Sequence, residues 1–259
     1  MEFLKSSKRR SLVSELIYIG LNIAFAVMLL VIVLAFDSPL LAVALVLLSK
    51  WRILAVRPRY WFANFQANLV DLIVSLSIVV MLYSAAGALA AQIFLTLLFI
   101  GWLLFIKPRS RRIHVAIQAG AAVFLGVSAL MFISYSWIAS VVVLLMWLIG
   151  YSAARHVLSS HEEAHTSFYS LVWGLVFAEL GWLAYHWTFA YTLPGVGDIK
   201  LVQVALISLA ISFLAERAYS SYMKHGGIRS NDIIMPSLLT VSVIVLLLTF
   251  FNMLGTGVL

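Results

Sequence analysis

Cysteine is absent from this 259-residue chain. Its absence excludes a disulfide framework, a thiolate metal site, a cysteine nucleophile, an iron–sulfur cluster and a palmitoylated cysteine. Charge is scarce as well: Asp, Glu, Lys and Arg make up 10% of the residues, against about 25% in a soluble domain. Long polar stretches are missing too. The two longest, 155–166 and 217–232, are too short to build a core of their own, so any activity must sit inside the helices or on their rim. Nucleotide-binding signatures, both the P-loop and G-x-G-x-x-G, are lacking, and the last span has no lysine that could hold retinal, so no cofactor is expected.

What is present is overwhelmingly apolar. Hydrophobic residues form 64% of the chain and the mean hydropathy is +1.07. A soluble globule of this size could not cover that surface with so few charges, so the solvent for most of the chain is lipid. The net charge of +7 then reflects attraction to anionic headgroups rather than to nucleic acid, because the bases are split among short loops beside the membrane.

A helix crosses the ~30 Å hydrocarbon layer in about 20 residues. Nine apolar runs approach that length, at 12–36, 39–56, 68–85, 89–106, 114–133, 137–153, 167–189, 199–216 and 233–254. They are continuously apolar instead of alternating, which indicates helices and not barrel strands. The expected fold is therefore all-α, a single integral membrane domain over 1–259 built as two-helix hairpins. The first run is far longer than the ~7–15-residue core of a signal peptide, so it reads as a span preceded by a short tail, 1–11.

All but Lys200 of the 17 basic residues fall in alternate connections. The positive-inside rule then puts the N-terminus in the cytoplasm, and nine spans put the C-terminus outside, as expected of a bacterial-type inner membrane. The second run is the short one. Only 12 residues precede Lys50, yet parity with the basic clusters favours a full crossing in which Lys50 and Arg52 reach back to the headgroups. A 50-residue offset aligns Arg57-Pro58-Arg59 with Lys107-Pro108-Arg109, and Met81 and Ser84 with Met131 and Ser134, which a parallel duplication would produce. Tryptophans and tyrosines fit interfacial belts, with Trp51, Tyr60 and Trp61 inside and Trp137, Trp187 and Tyr191 outside.

Acids within the spans need explaining. Glu179 lies about 18 Å into its helix and shares a face with Trp182 and His186, a stripe suited to a proton or cation relay or to anchoring an amine. Gly174, Ala178 and Gly181 form a stripe of small residues opposite, which favours a close helix neighbour or a subunit contact. Asp71 and Glu15 are shallower and expected to pair with rim bases. Asn22, Gln92, Gln118, Gln203 and Asn252 are expected to satisfy one another between helices.

One literal catalytic pattern occurs, His161-Glu162-Glu163-Ala164-His165, matching H-E-x-x-H. On a helix it would place His161 and His165 one turn apart around a metal, with Glu162 activating its water, and it would need a third ligand from His156, Glu216, His225 or Asp232. The competing reading makes Ser160 and Glu163 a capping box that opens the seventh helix. The leading functional expectation is non-enzymatic: a small carrier, or an integral subunit of a membrane complex or homo-oligomer, with Glu179 and His186 at its polar centre. The alternative is a metal-dependent intramembrane hydrolase at the cytoplasmic rim.

Overall fold

The computed structural model describes residues 12–53, 55–186, 190–192 and 200–249. Nine α-helices form among them: α1 (Leu12–Ala35), α2 (Leu40–Ser49), α3 (Trp61–Ser84), α4 (Leu89–Gly101), α5 (Arg112–Ile133), α6 (Ala139–Ser160), α7 (Thr166–His186), α8 (Gln203–His225) and α9 (Ser230–Thr249). All except α2 are long and apolar enough to cross a membrane, α4 together with the helical turn that carries it on to Ile106, so this is an all-α multi-spanning membrane protein. Large apolar side chains such as Leu21, Leu97, Leu144 and Leu239 stand exposed on the outer faces, as lipid-facing residues must. The exception to helix is a short antiparallel pair, β1 (Ala190–Thr192) with β2 (Lys200–Val202), where the expected eighth span began as helix at 199. The tail 1–11, Trp187 and Asn252 lie outside the described residues.

Boundaries move for local reasons. Helix α2 has ten residues, about 15 Å of rise, and gives way at Lys50 to a 3-10 turn, Trp51–Ile53. The expected continuous helix over 39–56 is thus corrected to half that length. Even so, its two ends are anchored at different depths. The Tyr83 hydroxyl, near the end of α3, donates to the Phe36 and Ser38 carbonyls at 3.1 and 2.8 Å, fixing the α1–α2 turn there. Lys50, at the other end of α2, reaches Asp71, three turns lower on α3. Helix α3 itself begins at Trp61, two turns earlier than expected, with Trp61, Phe62 and Phe65 exposed.

Packing relies on small residues, since lipid tails give helices no hydrophobic drive to associate and close approach must supply the dispersion energy. The most extensive contact joins α6 and α7. Gly150 faces Phe177, Gly174 faces Trp147 and Gly181 faces Met146, each so closely that an added Cβ would fall within 2.5–2.7 Å of the facing side chain. The core divides into two adjoining patches. One lies among α1 to α4 around Leu29, Val46, Val74 and Phe99; the other lies among α5 to α8 around Val127, Val142, Met146 and Phe177, with Ile73 of α3 packed against both.

Candidate functional site

Buried amides do not pair with one another as the sequence led us to expect; they bond backbone carbonyls. Gln92 donates to Leu82 O at 3.1 Å and Gln203 to Leu247 O at 2.9 Å, while Asn22 bonds Tyr18 O within its own helix. Gln118 has the largest role. Helix α4 ends in one turn of π-helix, Trp102–Ile106, and the Gln118 amide donates to the Ile106 and Arg109 carbonyls beside it, at 2.7 and 3.0 Å. Its own carbonyl oxygen accepts from His156 Nε2 at 2.6 Å. His156 is thereby tied to α5.

Asp71 is mostly buried and paired twice, with Lys50 and with Lys107 at 2.9 Å. Lys50 is itself 10% exposed, so the cluster is a desolvated ion triad tying α2 and the end of α4 to α3. The Lys107 arm comes from the second basic loop and was not foreseen from the sequence.

Residues 161–165 do not form a helix. Helix α6 runs through Ser160, His161 caps it, and α7 starts only at Thr166. The two histidines are therefore not one helical turn apart, and the expected capping box is corrected as well, since Ser160 Oγ bonds back to Val157 O at 2.7 Å. Glu162, the would-be base, is exposed in the turn with φ of 57°, a left-handed conformation that costs a β-carbon-bearing residue roughly 1 kcal/mol. Among the described residues no group of three His, Asp or Glu side chains is placed to hold a metal ion. Of the other candidate ligands, His225 Nε2 lies 3.8 Å from Asp232, which accepts from Ser221.

What the turn builds instead is a latch to α8. Tyr219 donates its hydroxyl to Glu163 Oε2 at 2.5 Å, and the His165 backbone N–H donates to Glu163 Oε1 at 3.1 Å. The tyrosine hydroxyl, with that N–H helping, holds the Glu163 carboxyl below its ordinary range. His161 sits edge-on to the Tyr219 ring at 5.3 Å. Burial, reinforced by the Arg112 charge and opposed by Glu216, pushes its imidazole below the usual histidine value.

Behind this latch lies a cavity of about 950 Å³ among α5, α6, α7 and α8. Its walls are apolar and rich in small residues, Ala116, Gly120, Ala153 and Ala154, which leave the space, and in Val157, Trp173 and Leu209, which line it. Its rim carries Glu163 and His165 of the α6–α7 turn and Glu216, Arg217, Tyr219 and Tyr222 of the second half of α8, toward the side of the bundle that holds the basic connections. One polar atom interrupts the wall: Ser212 Oγ is buried and has no hydrogen-bond partner among the described residues. Sequence reading missed this cavity, although Ala116 and Gly120, four apart on α5, were its visible signal.

Glu179 is not in it. The cavity takes Tyr169, Val172 and Trp173 from α7, whereas Glu179 and His186 lie on the outward side of that helix, exposed. The expectation that they form the polar centre of the bundle is corrected on this point. Gly174, Gly181 and Phe177 occupy the face toward α6, and a helix that buries one side so tightly must present the opposite side outward. His186 packs against Trp182 and Tyr185 rings at 4.9 and 5.4 Å.

No known protein family, curated protein or solved structure matches the chain.

Proposed function

We propose that the protein is a small carrier that takes a membrane amphiphile into the cavity between α5 and α8, chain first, with the polar head at the rim. The observation that carries this reading is the cavity's division into an apolar interior of about 950 Å³ and a rim of ionisable and phenolic groups. That is the polarity profile of one lipid chain and its headgroup, and the volume is within the range of small-molecule sites. Ser212 offers a single polar contact part-way along the wall.

In this reading the chain sits with its basic connections and the cavity rim in the cytoplasm and crosses an inner membrane in the positive-inside sense. An amphiphile would enter from the cytoplasmic leaflet through the α7–α8 side, where the two helices touch only lightly. The Glu163–Tyr219 latch lies across that entrance and ties the α6–α7 turn to α8.

The test is native mass spectrometry of the detergent-extracted protein beside Ala116→Trp, which fills the cavity without touching the latch. Retained lipid on the wild type and its loss in the variant support the reading. Equal lipid retention by both overturns it, and circular dichroism shows that the variant is folded.

A further inference from the structure

Three acids lie well inside spanning helices: Asp71, Glu216 and Glu179. Asp71 is paired with two lysines, and Glu216 accepts from Ser220 and lies beside Arg217. Glu179 is exposed and has no hydrogen-bond or ion-pair partner among the described residues. It stands 13 residues from the start of α7 and seven from its end, about 20 and 10 Å at helical rise, so its carboxyl lies within the hydrocarbon layer. An ionisable group there normally faces protein, because facing lipid costs ~2.5–3.5 kcal/mol on insertion scales.

Its neighbours on the same face are ordered. Phe168, Val172, Leu175, Glu179, Trp182 and His186 follow one another at spacings of four, three, four, three and four, and all are exposed. At 100° per residue, Phe168, Leu175, Glu179 and His186 fall within about 20° of one line along the helix. This 3-4 alternation is the seam of a left-handed helix pair, the commonest crossing in membranes, and a single polar residue in such a seam fixes register and stoichiometry.

We propose that this face is the interface of a parallel homodimer, in which Glu179 of one copy hydrogen-bonds Glu179 of the other. The basic loops insert every copy in the same sense, so a two-fold axis along the membrane normal sets equal positions opposite each other at equal depth. A carboxylic acid suits that symmetry because it is both donor and acceptor, and two of them can bond reciprocally. A second copy brings that matching donor and acceptor to the same depth by symmetry, whereas a different partner would need its own polar group placed there. The seam borders the cavity only at Val172, so the dimer leaves the rim open.

The natural absence of cysteine makes the test direct. Single-cysteine variants Leu175→Cys and Trp182→Cys, oxidised in native membranes, are expected to give a crosslinked dimer. The exposed positions Ile93 on α4 and Val241 on α9, changed likewise, are expected to give none. Glu179→Leu, carried in the Leu175→Cys chain, should lower dimer association about three- to twentyfold, whereas Glu179→Gln, which keeps a donor and an acceptor, should retain it. Crosslinking that is equal at all four positions, absent at the seam, directed to another protein, or insensitive to Glu179→Leu overturns the proposal.

Discussion

Tyr219 of α8 donates its hydroxyl to Glu163, 56 residues earlier, and by that bond the turn between α6 and α7 is held against the rim of the cavity. The rest of the fold explains why the bond is needed. Helices α7 and α8 share little packing, so the turn has few other ties to α8. Without it, the two helices that flank the proposed entrance are joined mainly by a relay, α7 packing on α6, α6 on α5 and α5 on α8.

Tyr219→Phe is therefore expected to lower the melting temperature by a few degrees and to speed proteolysis at the 161–165 turn. The sign of its pH dependence follows from the carboxylate. Glu163 has a lowered pKa in the fold, so the bond contributes above the ordinary glutamate value of ~4.3 and is lost as pH falls through the folded value. The stability difference between wild type and Tyr219→Phe should be constant near neutrality and shrink in acid below about pH 4. A difference that grows on acidification would contradict this role.

A second prediction concerns the ion triad. Removing the acid alone, Asp71→Leu, strands the Lys50 ammonium, which is 10% exposed, and should cost about 3–5 kcal/mol in reversible unfolding. Lys107, 36% exposed, can turn to the headgroups. Replacing both buried partners, Lys50→Met with Asp71→Leu, should recover most of that loss, because the uncompensated charge disappears along with its partner. Additive losses in the double variant would show that the pair acts only through each residue's own packing.

The α6–α7 contact makes a third. A Cβ at position 150 would stand 2.5–2.8 Å from three atoms of Phe177, including its Cβ, so the ring cannot simply swing away. Gly150→Ala should destabilise by about 1–3 kcal/mol through overpacking. Gly20→Ala on α1, where no atom lies within 4 Å, should be neutral or slightly stabilising. Thermal unfolding of the two variants in the same detergent separates these outcomes.

How much of this was legible in the sequence differs by feature. Helix number and approximate position follow from apolar run length, and the stripe of Gly174 and Gly181 correctly announced a close neighbour, since small side chains let a facing helix approach. Ends were harder: α3 starts at Trp61 and α8 runs on to His225 because a helix can continue into the headgroup layer on polar residues, which hydropathy does not register. The pairing of Asp71 with rim bases could be expected, but Lys107 comes from a distant loop and only the folded chain brings it there. Residues 161–165 misled because a five-residue pattern says nothing about whether the backbone is helical across it. Glu179 misled differently: periodicity shows which residues share a face, but only packing shows which way that face points.

Entry of an amphiphile's apolar chain into the cavity between α5 and α8 can be read out at the residues that line it. The most direct measurement is photocrosslinking in vesicles with a lipid that carries a diazirine on its acyl chain, followed by peptide mapping. Labelling is expected in cavity-wall segments 113–124, 153–158 and 209–215, with its loss there in Ala116→Trp while labelling of the outer faces persists. Label confined to outward positions, such as Leu239 on α9 or Leu21 on α1, with the cavity walls unmarked, would contradict it.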